Sequence, residues 1–357
     1  MQGMTAVARI NAIAGAIPVT DVDKDYRTWA QGKLSDPREA RLFGRMAERS
    51  GIEHRWSVLG DQASLEPDRF YTRDAQPTTA ERMAVYAREA PKLALEAIAG
   101  LGELGDITHL VVSSCTGFVA PGVDQIIARA LGLSGDVERL VVGFMGCYAG
   151  VTALRTAGHI VRSRPDARVL VVAVELCSLH LQIDAGLEST LAMAQFSDGA
   201  AAAIVSADGM GLALCDGFSG MLEESDSLIT WTIGDTGFAM SLSGEVPGRL
   251  AHALADEALS KRVLDGVDAS DIEAWAVHPG GKSILDAVER AFALTQGALA
   301  ESREVLRACG NMSSATILFV LEKIMPRRPE SGLALAFGPG LAMEGFRFGW
   351  TEGDAGG

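Results

Sequence analysis

Apolar residues along this chain occur in two kinds of segment that alternate with each other. Continuous apolar runs, typical of strands covered on both faces, start at His109, Arg139 and Arg168. Elsewhere, apolar residues recur at steps of three and four, which predicts amphipathic helices. The alternation indicates a parallel or mixed sheet covered by helices. We expect all three strands to be central in that sheet.

The clearest helix signal lies before these strands. Pro77 and a capping box formed by Thr78 and Glu81 mark a helix start. The apolar stripe that follows has helical spacing and consists of Met83, Tyr86, Ala90, Leu93 and Ala97. The pattern therefore predicts a helix that begins directly after Thr78.

The second half of the chain repeats this organisation. The strand candidate IEAWAVH leads into the helix candidate KSILDAVERAF, and CGNMSS leads into the helix candidate ATILFVLEKIM. The chain closes with a strand, a Gly-Pro-Gly turn and another strand. The repetition favours two related halves. We place their boundary near Ala207, which gives segments of residues 1–207 and 208–357.

Charge and hydropathy exclude several classes of function. The net charge is -15 and Lys/Arg runs are absent, which disfavours a general nucleic-acid binder. An anionic substrate would therefore need a local basic patch. The apolar stretch from Ile10 to Val19 favours a first strand over a signal peptide, because it lacks a clustered basic region and a cleavage site. No segment has the roughly 18 uninterrupted apolar residues of a membrane span, so we expect a cytoplasmic protein.

The cysteines are irregularly spaced and comprise Cys115, Cys147, Cys177, Cys215 and Cys309. No CxxC pair or Cys/His cluster has zinc-ligand spacing, so we expect neither disulfides nor a metal site. Each cysteine by itself is compatible with a small buried apolar residue.

Cys147 has the environment best suited to a nucleophile. It follows Gly146 at a turn from the strand starting at Arg139 into the helix candidate YAGVTALRTAGHIVRS. The positive end of the helix dipole and unpaired backbone N–H groups favour a thiolate at such a position. Gly146 permits the sharp turn and close backbone approach that a glycine-flanked nucleophile elbow requires.

His278 and Asn311 are two further candidates, each with a structural alternative. His278 stands between an apolar strand and the turn Pro279-Gly280-Gly281, which would present its imidazole at a strand end. A histidine satisfied by backbone groups fits the same pattern. Asn311 follows Gly310 and could equally be an N-cap for the next helix.

Four blocks occur together in this chain: GFMGCYAG around Cys147, AVHPGG around His278, GNMSS at Asn311 and FGPG from Phe337. In this order and approximate spacing they resemble the type III polyketide synthases, the chalcone synthase-like family. The resemblance extends over nearly the whole chain. It implies an α/β protein with the thiolase-like fold, five αβαβα layers built from two related halves, and a homodimer.

The resemblance also implies roles for particular residues. Cys147 matches the acyl-carrying nucleophile, His278 the histidine that pairs with its thiolate, and Asn311 the amide that holds the malonyl thioester carbonyl. Phe196, in AQFSDGAA, matches a gate between the CoA tunnel and the cavity. The implied substrates are malonyl-CoA and an acyl-CoA starter. No metal or redox cofactor is implied, because CoA carries the activated group.

Further positions are implied around the cavity. The candidate lining residues are Cys115, Thr116, Cys177, Leu179, His180, Met240, Ser313, Phe337, Gly338, Pro339 and Gly340. Along a strand some of these must face the opposite side. Ala120 matches a residue that reaches towards the partner's cavity, and Arg55 is the candidate for binding the CoA phosphates.

The starter is predicted from positions at which this sequence differs from the plant chalcone synthases. ELCSLHLQ from Glu175 resembles bacterial members that make alkylpyrones or alkylresorcinols, and Met240 and Ala120 replace bulkier residues. These features favour a fatty acyl starter. A small-starter or malonyl-only enzyme is the alternative, as is an initiating ketoacyl-ACP synthase. An inactive acyl-binding scaffold is the alternative from another class.

Overall fold

The structure, a computed structural model, describes residues 6–72, 75–183 and 186–352. Its strands are β1 (Arg9–Ala16), β2 (Thr20–Asp21), β3 (Trp56–Ser57), β4 (His109–Ser114), β5 (Glu138–Gly143), β6 (Arg168–Leu176), β7 (Asp198–Ser206), β8 (Gly211–Met221), β9 (Ile229–Gly234), β10 (Gly237–Leu242), β11 (Ala274–Val277), β12 (Gly332–Gly338) and β13 (Ala342–Thr351). Its helices are α1 (Asp23–Lys33), α2 (Pro37–Glu48), α3 (Thr79–Ala99), α4 (Val123–Ala130), α5 (Ala149–Ser163), α6 (Leu187–Met193), α7 (Val246–Leu254), α8 (Glu257–Leu264), α9 (Lys282–Ala291), α10 (Ala300–Cys309) and α11 (Thr316–Ile324). Within these ranges, none of the helices combines the length and the hydropathy that crossing a membrane requires.

Nine of the strands form one continuous mixed sheet. Their order is β11-β12-β13-β8-β1-β7-β6-β4-β5, with parallel pairing of β4 with β5 and β6 and of β11 with β12. The two halves of the sheet meet where Arg9 and Ile10 of β1 pair with Ala213 and Leu212 of β8. This arrangement confirms the predicted mixed sheet. The turn from β7 to β8 spans the boundary near Ala207.

Packing on the two faces of this sheet produces five layers. Side chains on successive strand residues alternate between faces, so Val111 of β4 packs with the central helices α5 and α11, whereas Leu110 and Val112 pack with α3. In the second half, Ala276 of β11 joins the same central cluster, and Val277 packs with α7, α9 and α10. Helices α5 and α11 are therefore covered by strands of both halves. The layers follow the αβαβα order that the thiolase-like fold predicts.

The capping box predicted at the start of α3 is present. The Thr78 hydroxyl accepts from the Glu81 backbone N–H at 3.3 Å, and a Glu81 carboxylate oxygen accepts from the Thr78 backbone N–H at 2.8 Å. Two of the free N–H groups that open a helix are thereby paired. The predicted helix is confirmed as α3.

Strand β5 differs from the prediction. It lies at the edge of the sheet, and Leu140 and Val141 are 46% and 52% exposed in the single chain. The prediction of a central strand at this place is therefore wrong. A continuous apolar run indicates side chains that avoid water, but it does not specify what covers them.

Candidate active site

Cys147 lies at a tight elbow between β5 and α5. Gly146 has φ +80°, and a Cβ at that position would come within 2.3 Å of Pro339 Cδ, so only glycine fits. The Gly146 backbone N–H donates to Cys115 Sγ at 2.9 Å, which holds the elbow against β4. Cys147 is thereby presented just before the first turn of α5, as the sequence predicts.

A cavity of about 360 Å³ is lined by the three predicted catalytic residues and the predicted gate residue. Cys147 comes from the elbow before α5, Phe196 from the loop after α6, His278 from the end of β11, and Asn311 from the loop after α10. The rest of the wall is mainly apolar and includes Leu191, Met193, Ile229, Trp231, Leu242 and Val246. A mainly apolar cavity with a few convergent polar groups has the character of a ligand site.

Asn311 is fixed through both its backbone and its side chain. Its N–H donates to Gln195 O at 2.8 Å and its O accepts from Ser197 N at 2.9 Å, which forms an isolated bridge beside Phe196. Its Oδ1 accepts from Ser313 N at 2.8 Å, and its Nδ2 donates to Gly280 O at 3.2 Å. Helix α11 begins only at Thr316, so Asn311 is not its N-cap.

His278 faces the cavity with an unsatisfied ring. The side chain is 1% exposed, and neither Nδ1 nor Nε2 has a hydrogen-bond partner among the described residues. Burial lowers the pKa of His278 to about 3, because desolvation disfavours the imidazolium. The alternative of a histidine satisfied by backbone groups is therefore wrong. Both ring nitrogens are free to bind a substrate.

The Cys147 thiol is subject to opposing effects. Burial raises the pKa of Cys147 to about 11, whereas hydrogen bonds from the Ser313 and Asn311 side chains favour the thiolate. Burial thus opposes the thiolate expected at the start of α5, just as it opposes the imidazolium of His278. A charged pair forms when the Cys147 thiol transfers its proton to His278 within the cavity. Each of the two buried charges then compensates the other.

Glu175, at the end of β6, was not assigned a role from the sequence. It is fully buried and accepts hydrogen bonds from Cys115 N at 2.9 Å, Thr116 Oγ1 at 2.8 Å and the Ser314 hydroxyl. Burial raises its pKa. The sequence did contain a signal for this role, namely a single carboxylate within an apolar strand. A carboxylate buried in such a strand needs dedicated hydrogen-bond donors. Glu175 ties the wall at Cys115 to the loop that carries Asn311.

Most of the predicted wall residues line this cavity. They are Cys115, Thr116, Cys177, Met240, Ser313, Phe337, Gly338 and Pro339. The FGPG block also supports the elbow, since a Cβ at Gly338 would come within 2.8 Å of the Tyr148 ring. Gly340 is an exception. It lies in the turn behind the wall, where its carbonyl accepts from Ser225 Oγ at 2.9 Å.

Leu179 and His180 do not line the cavity, which corrects the prediction. Leu179 packs in the apolar core beside α3. His180 stacks on Phe238 with ring centroids 4.2 Å apart, its Nδ1 accepts from Phe238 N at 3.0 Å, and its Nε2 donates to Thr116 O at 2.7 Å. Both follow Cys177 in a short 3-10 turn, which directs them away from the cavity. Trp231 lines the wall instead, with its indole N–H donating to Cys115 O.

Arg55 and Ala120 also lie outside the cavity. Arg55 is 3% exposed, pairs with Asp23 at 2.8 Å, and donates to the carbonyls of Met193 and Phe196. Its guanidinium is therefore not available to CoA phosphates, and the prediction for Arg55 is wrong. Ala120 is exposed on the surface of the single chain.

Replacing His180 with alanine is expected to destabilise the protein by about 2–4 kcal/mol, because a buried ring and two hydrogen bonds are lost. Burial lowers the pKa of His180 to about 3, so the neutral ring that makes these bonds persists at physiological pH. Urea unfolding would measure the loss. Exposed His252 on α7 provides the matched control, since its alanine variant should unfold at the same urea concentration as the unmodified protein. Equal midpoints for both variants would contradict the structural role of His180.

Comparison with known proteins assigns the family. The family model for the N-terminal domain of chalcone and stilbene synthases matches residues 2–209, and the C-terminal domain model matches residues 214–349. The chain is 33% identical to the alpha-pyrone synthesis polyketide synthase-like Pks18 of Mycobacterium tuberculosis, over 96% of this chain and 91% of that protein. It is 34% identical to the bisdemethoxycurcumin synthase of Oryza sativa subsp. japonica, over 85% of this chain and 81% of that protein.

Solved structures agree with this assignment. PKS-I from the brown alga Ectocarpus siliculosus superimposes with a TM-score of 0.87 and 27% identity, over 98% of this chain and all of that one. The C-terminal type III polyketide synthase domain of Steely1 from Dictyostelium superimposes with a TM-score of 0.84, also at 27% identity, over 96% and 99%. The chain therefore belongs to the chalcone and stilbene synthase family, the type III polyketide synthases, which are acyltransferases that catalyse decarboxylative Claisen condensation.

Proposed function

We propose that the enzyme loads a fatty acyl group onto Cys147, extends it with malonyl-CoA and releases a cyclised alkylpyrone or alkylresorcinol. The observation that carries the assignment of roles is the convergence of three groups on one apolar cavity. These are the Cys147 thiol, the unpaired ring of His278 and the amide of Asn311.

In the loading step, His278 takes the proton of the Cys147 thiol as the sulfur attacks the starter thioester carbonyl. The bond between the carbonyl carbon and the CoA sulfur breaks, and CoA leaves as a thiol with the proton returned by His278. The neutral imidazole favoured by burial is the form that can accept this proton. The new thioester on Cys147 retains the activation of the old one.

In the extension step, malonyl-CoA loses carbon dioxide and negative charge develops on its thioester oxygen. Asn311 Nδ2 donates one hydrogen to Gly280 O, and its second hydrogen, which favours the Cys147 thiolate before loading, is released for this oxygen once Cys147 carries the acyl group. His278 supplies another donor, so the two residues would stabilise the enolate. The enolate carbon then attacks the acyl group on Cys147 and releases the Cys147 sulfur. Phe196 provides an apolar wall beside the departing carboxylate, and no cofactor is required.

A second, smaller cavity supports a long acyl starter. It measures about 40 Å³ and shares Cys177, Met193 and Phe196 with the main cavity. Its other walls include Leu59, Leu65 and Leu181, and on another side the Arg55 side chain with Tyr26 and Tyr71. An aliphatic chain that passes Cys177 would contact the leucines and the tyrosine rings at this place. The alpha-pyrone synthesis in the name of the Mycobacterium relative supports the lactone product.

The CoA phosphates are assigned to α2 rather than to Arg55. Met46 of α2 lines the cavity at its exposed side. Arg45 and Arg49 lie within one helical turn of Met46 and are exposed. Guanidinium groups bind phosphates through paired N–H donors. We propose these two residues as the basic mouth that the acidic chain requires.

Strand β5 supports the proposed homodimer. Its outer edge is unpaired within the described residues, and Leu140, Val141 and nearby Phe118 are each about half exposed. Exposed apolar side chains beside an open sheet edge are typical of an interface. Ala120 lies in the same exposed loop as Phe118. We also propose a cytoplasmic location, in keeping with five free cysteines.

Incubation with malonyl-CoA and a series of acyl-CoA starters from acetyl to palmitoyl should give long-chain pyrones or resorcinols, identified by mass spectrometry. Cys177→Phe should lower kcat/KM for lauroyl-CoA roughly tenfold or more relative to hexanoyl-CoA, because it narrows the passage between the cavities. Cys177→Ser keeps the volume and serves as the matched control. An unchanged preference in both variants would contradict the proposed path.

Other outcomes of the starter series distinguish the alternatives. Products only from malonyl-CoA or short starters would retain the family and overturn the fatty acyl starter. A single condensation that requires an acyl carrier protein would favour an initiating ketoacyl-ACP synthase. Acyl binding without any Cys147-dependent turnover would favour an inactive scaffold.

A further inference from the structure

Helix α2 presents an exposed stripe of basic and apolar side chains that the proposed chemistry uses only in part. Its members recur at helical spacing, and all are exposed: Arg38, Arg41, Leu42, Arg45, Met46 and Arg49. We call this set the α2 stripe. The opposite side of the helix is anchored in the protein by Phe43 and Ala47, which pack with residues of α1 and α6.

The α2 stripe stands out by its charge. The chain carries a net charge of -15, yet none of the four guanidinium groups forms an ion pair within the part of the chain that the structure describes. Glu39 and Glu48 flank the stripe on the same helix, and Glu188 of α6 faces the cavity mouth. Four unpaired cations on an acidic protein form a local field that attracts a partner of negative charge.

The α2 stripe also extends beyond the cavity mouth. Met46 lines the cavity, whereas Arg38 lies about 12 Å away along the helix axis, given a rise of 1.5 Å per residue. Arg45 and Arg49 are close enough to Met46 to serve a CoA molecule that enters there. Arg38 and Arg41 lie about 12 and 7.5 Å from Met46 along the axis, so a protein partner that covers the helix would contact all four arginines.

We propose that the α2 stripe is the docking surface for an acidic carrier protein that delivers the fatty acyl starter on a phosphopantetheine arm. The inference rests on the proposed function and names the form in which the starter arrives. Acidic residues on the carrier would pair with the four arginines. Its apolar contacts would meet Leu42 and Met46, next to the opening through which the arm must reach Cys147.

A membrane surface is the weaker match for the same stripe. Helices that lie in a lipid interface insert a large apolar face, commonly rich in Trp, Phe and Leu. The apolar face of α2 is instead buried in the protein through Phe43 and Ala47. Only Leu42 and Met46 remain exposed for insertion.

The transfer from a carrier is balanced without any further reactant. The Cys147 sulfur attacks the carrier thioester, and the bond from the acyl carbon to the pantetheine sulfur breaks. The proton of the Cys147 thiol passes through His278 to the departing pantetheine sulfur. The products are acyl-Cys147 and the free thiol form of the carrier.

The test compares two donors of one acyl group. Acylation of Cys147 would be followed by quenched intact-protein mass spectrometry, with lauroyl-CoA or with an acidic acyl carrier protein charged with lauroyl-phosphopantetheine. We expect the double variant Arg38→Glu/Arg41→Glu to lower kcat/KM for the carrier on the order of tenfold or more, because charge reversal at a docking surface acts on association. In this variant, kcat/KM for loading from lauroyl-CoA should stay within about twofold of the value for the unmodified enzyme. Arg290→Glu, an exposed reversal on α9, is the matched control and should change neither donor.

Three results would overturn the inference. One is an equal loss with both donors, which would assign the whole stripe to CoA. Another is efficient loading from lauroyl-CoA by the unmodified enzyme with none from the carrier. The third is binding to phosphatidylglycerol vesicles that the double variant abolishes while carrier loading persists, which would assign the stripe to a membrane. Failure to load from either donor would instead overturn the proposed function itself.

Discussion

Replacing Cys147 with alanine is expected to abolish acyl loading and chain extension, with a loss greater than about a thousandfold. In the proposed mechanism the thiol is the attacking group, and the remaining cavity residues cannot supply another sulfur in the same place. Malonyl-CoA decarboxylation should persist in this variant, because His278 and Asn311 remain in the cavity. Intact-protein mass spectrometry would measure loading, and release of carbon dioxide from malonyl-CoA would measure decarboxylation.

The exposed residue Cys215 provides the control for this experiment. It is a free cysteine outside the cavity, so Cys215→Ala should load and extend like the unmodified enzyme. An acyl adduct of normal stoichiometry on the Cys147→Ala variant would rule out Cys147 as the carrier of the growing chain. The circular dichroism of both variants should match, since Cys147 is a small residue at a turn.

The second large effect is expected at Asn311. Substitution with alanine should slow malonyl-CoA decarboxylation by about a hundredfold to a thousandfold, the usual cost of losing one donor to a developing oxyanion. Loading of Cys147 should fall less, because the Ser313 side chain still favours the thiolate when the Asn311 amide is removed. Separate assays of adduct formation and of carbon dioxide release would measure the two steps.

Asn311→Asp refines this test. Aspartate keeps the Oδ1 that accepts from Ser313 N, but it replaces the Nδ2 that donates to Gly280 O with a negatively charged acceptor. Decarboxylation should therefore be at least as slow as in the alanine variant, and the carboxylate beside Gly280 O should lower the thermal stability. Full decarboxylation by the aspartate variant would show that the Asn311 amide does not bind the enolate. Equal damage to loading and decarboxylation would assign a structural role instead.

Local signals were sufficient for the start of α3 and for the elbow that carries Cys147. The capping box at Thr78 and Glu81 predicts the start of α3, and the Gly146-Cys147 pair between a strand and a helix candidate predicts the elbow. Both depend on backbone geometry within a few residues, which local sequence determines well. The family resemblance supplied the pairing of distant segments that periodicity cannot provide.

Features that depend on distant partners were missed or misplaced. The edge position of β5 depends on the order of strands, which its own apolar residues do not encode. His180 is separated from the cavity by a 3-10 turn and a stacked Phe238, and Arg55 is engaged by Asp23 from α1. For His180 and Arg55, the residue type is compatible both with a buried structural role and with a place in a binding site. Only the three-dimensional neighbours distinguish them.

The isolated bridge between Phe196 and Asn311 has a consequence for engineering. Because Asn311 is hydrogen-bonded through its backbone to the residues on either side of Phe196, redesign of this segment to admit bulkier precursors would also displace the amide that we propose binds the malonyl group. Broader precursor tolerance obtained there would come with slower elongation. Mutagenesis libraries centred on Cys177 and Met240 avoid this compromise, since neither residue is hydrogen-bonded to the loop that carries Asn311.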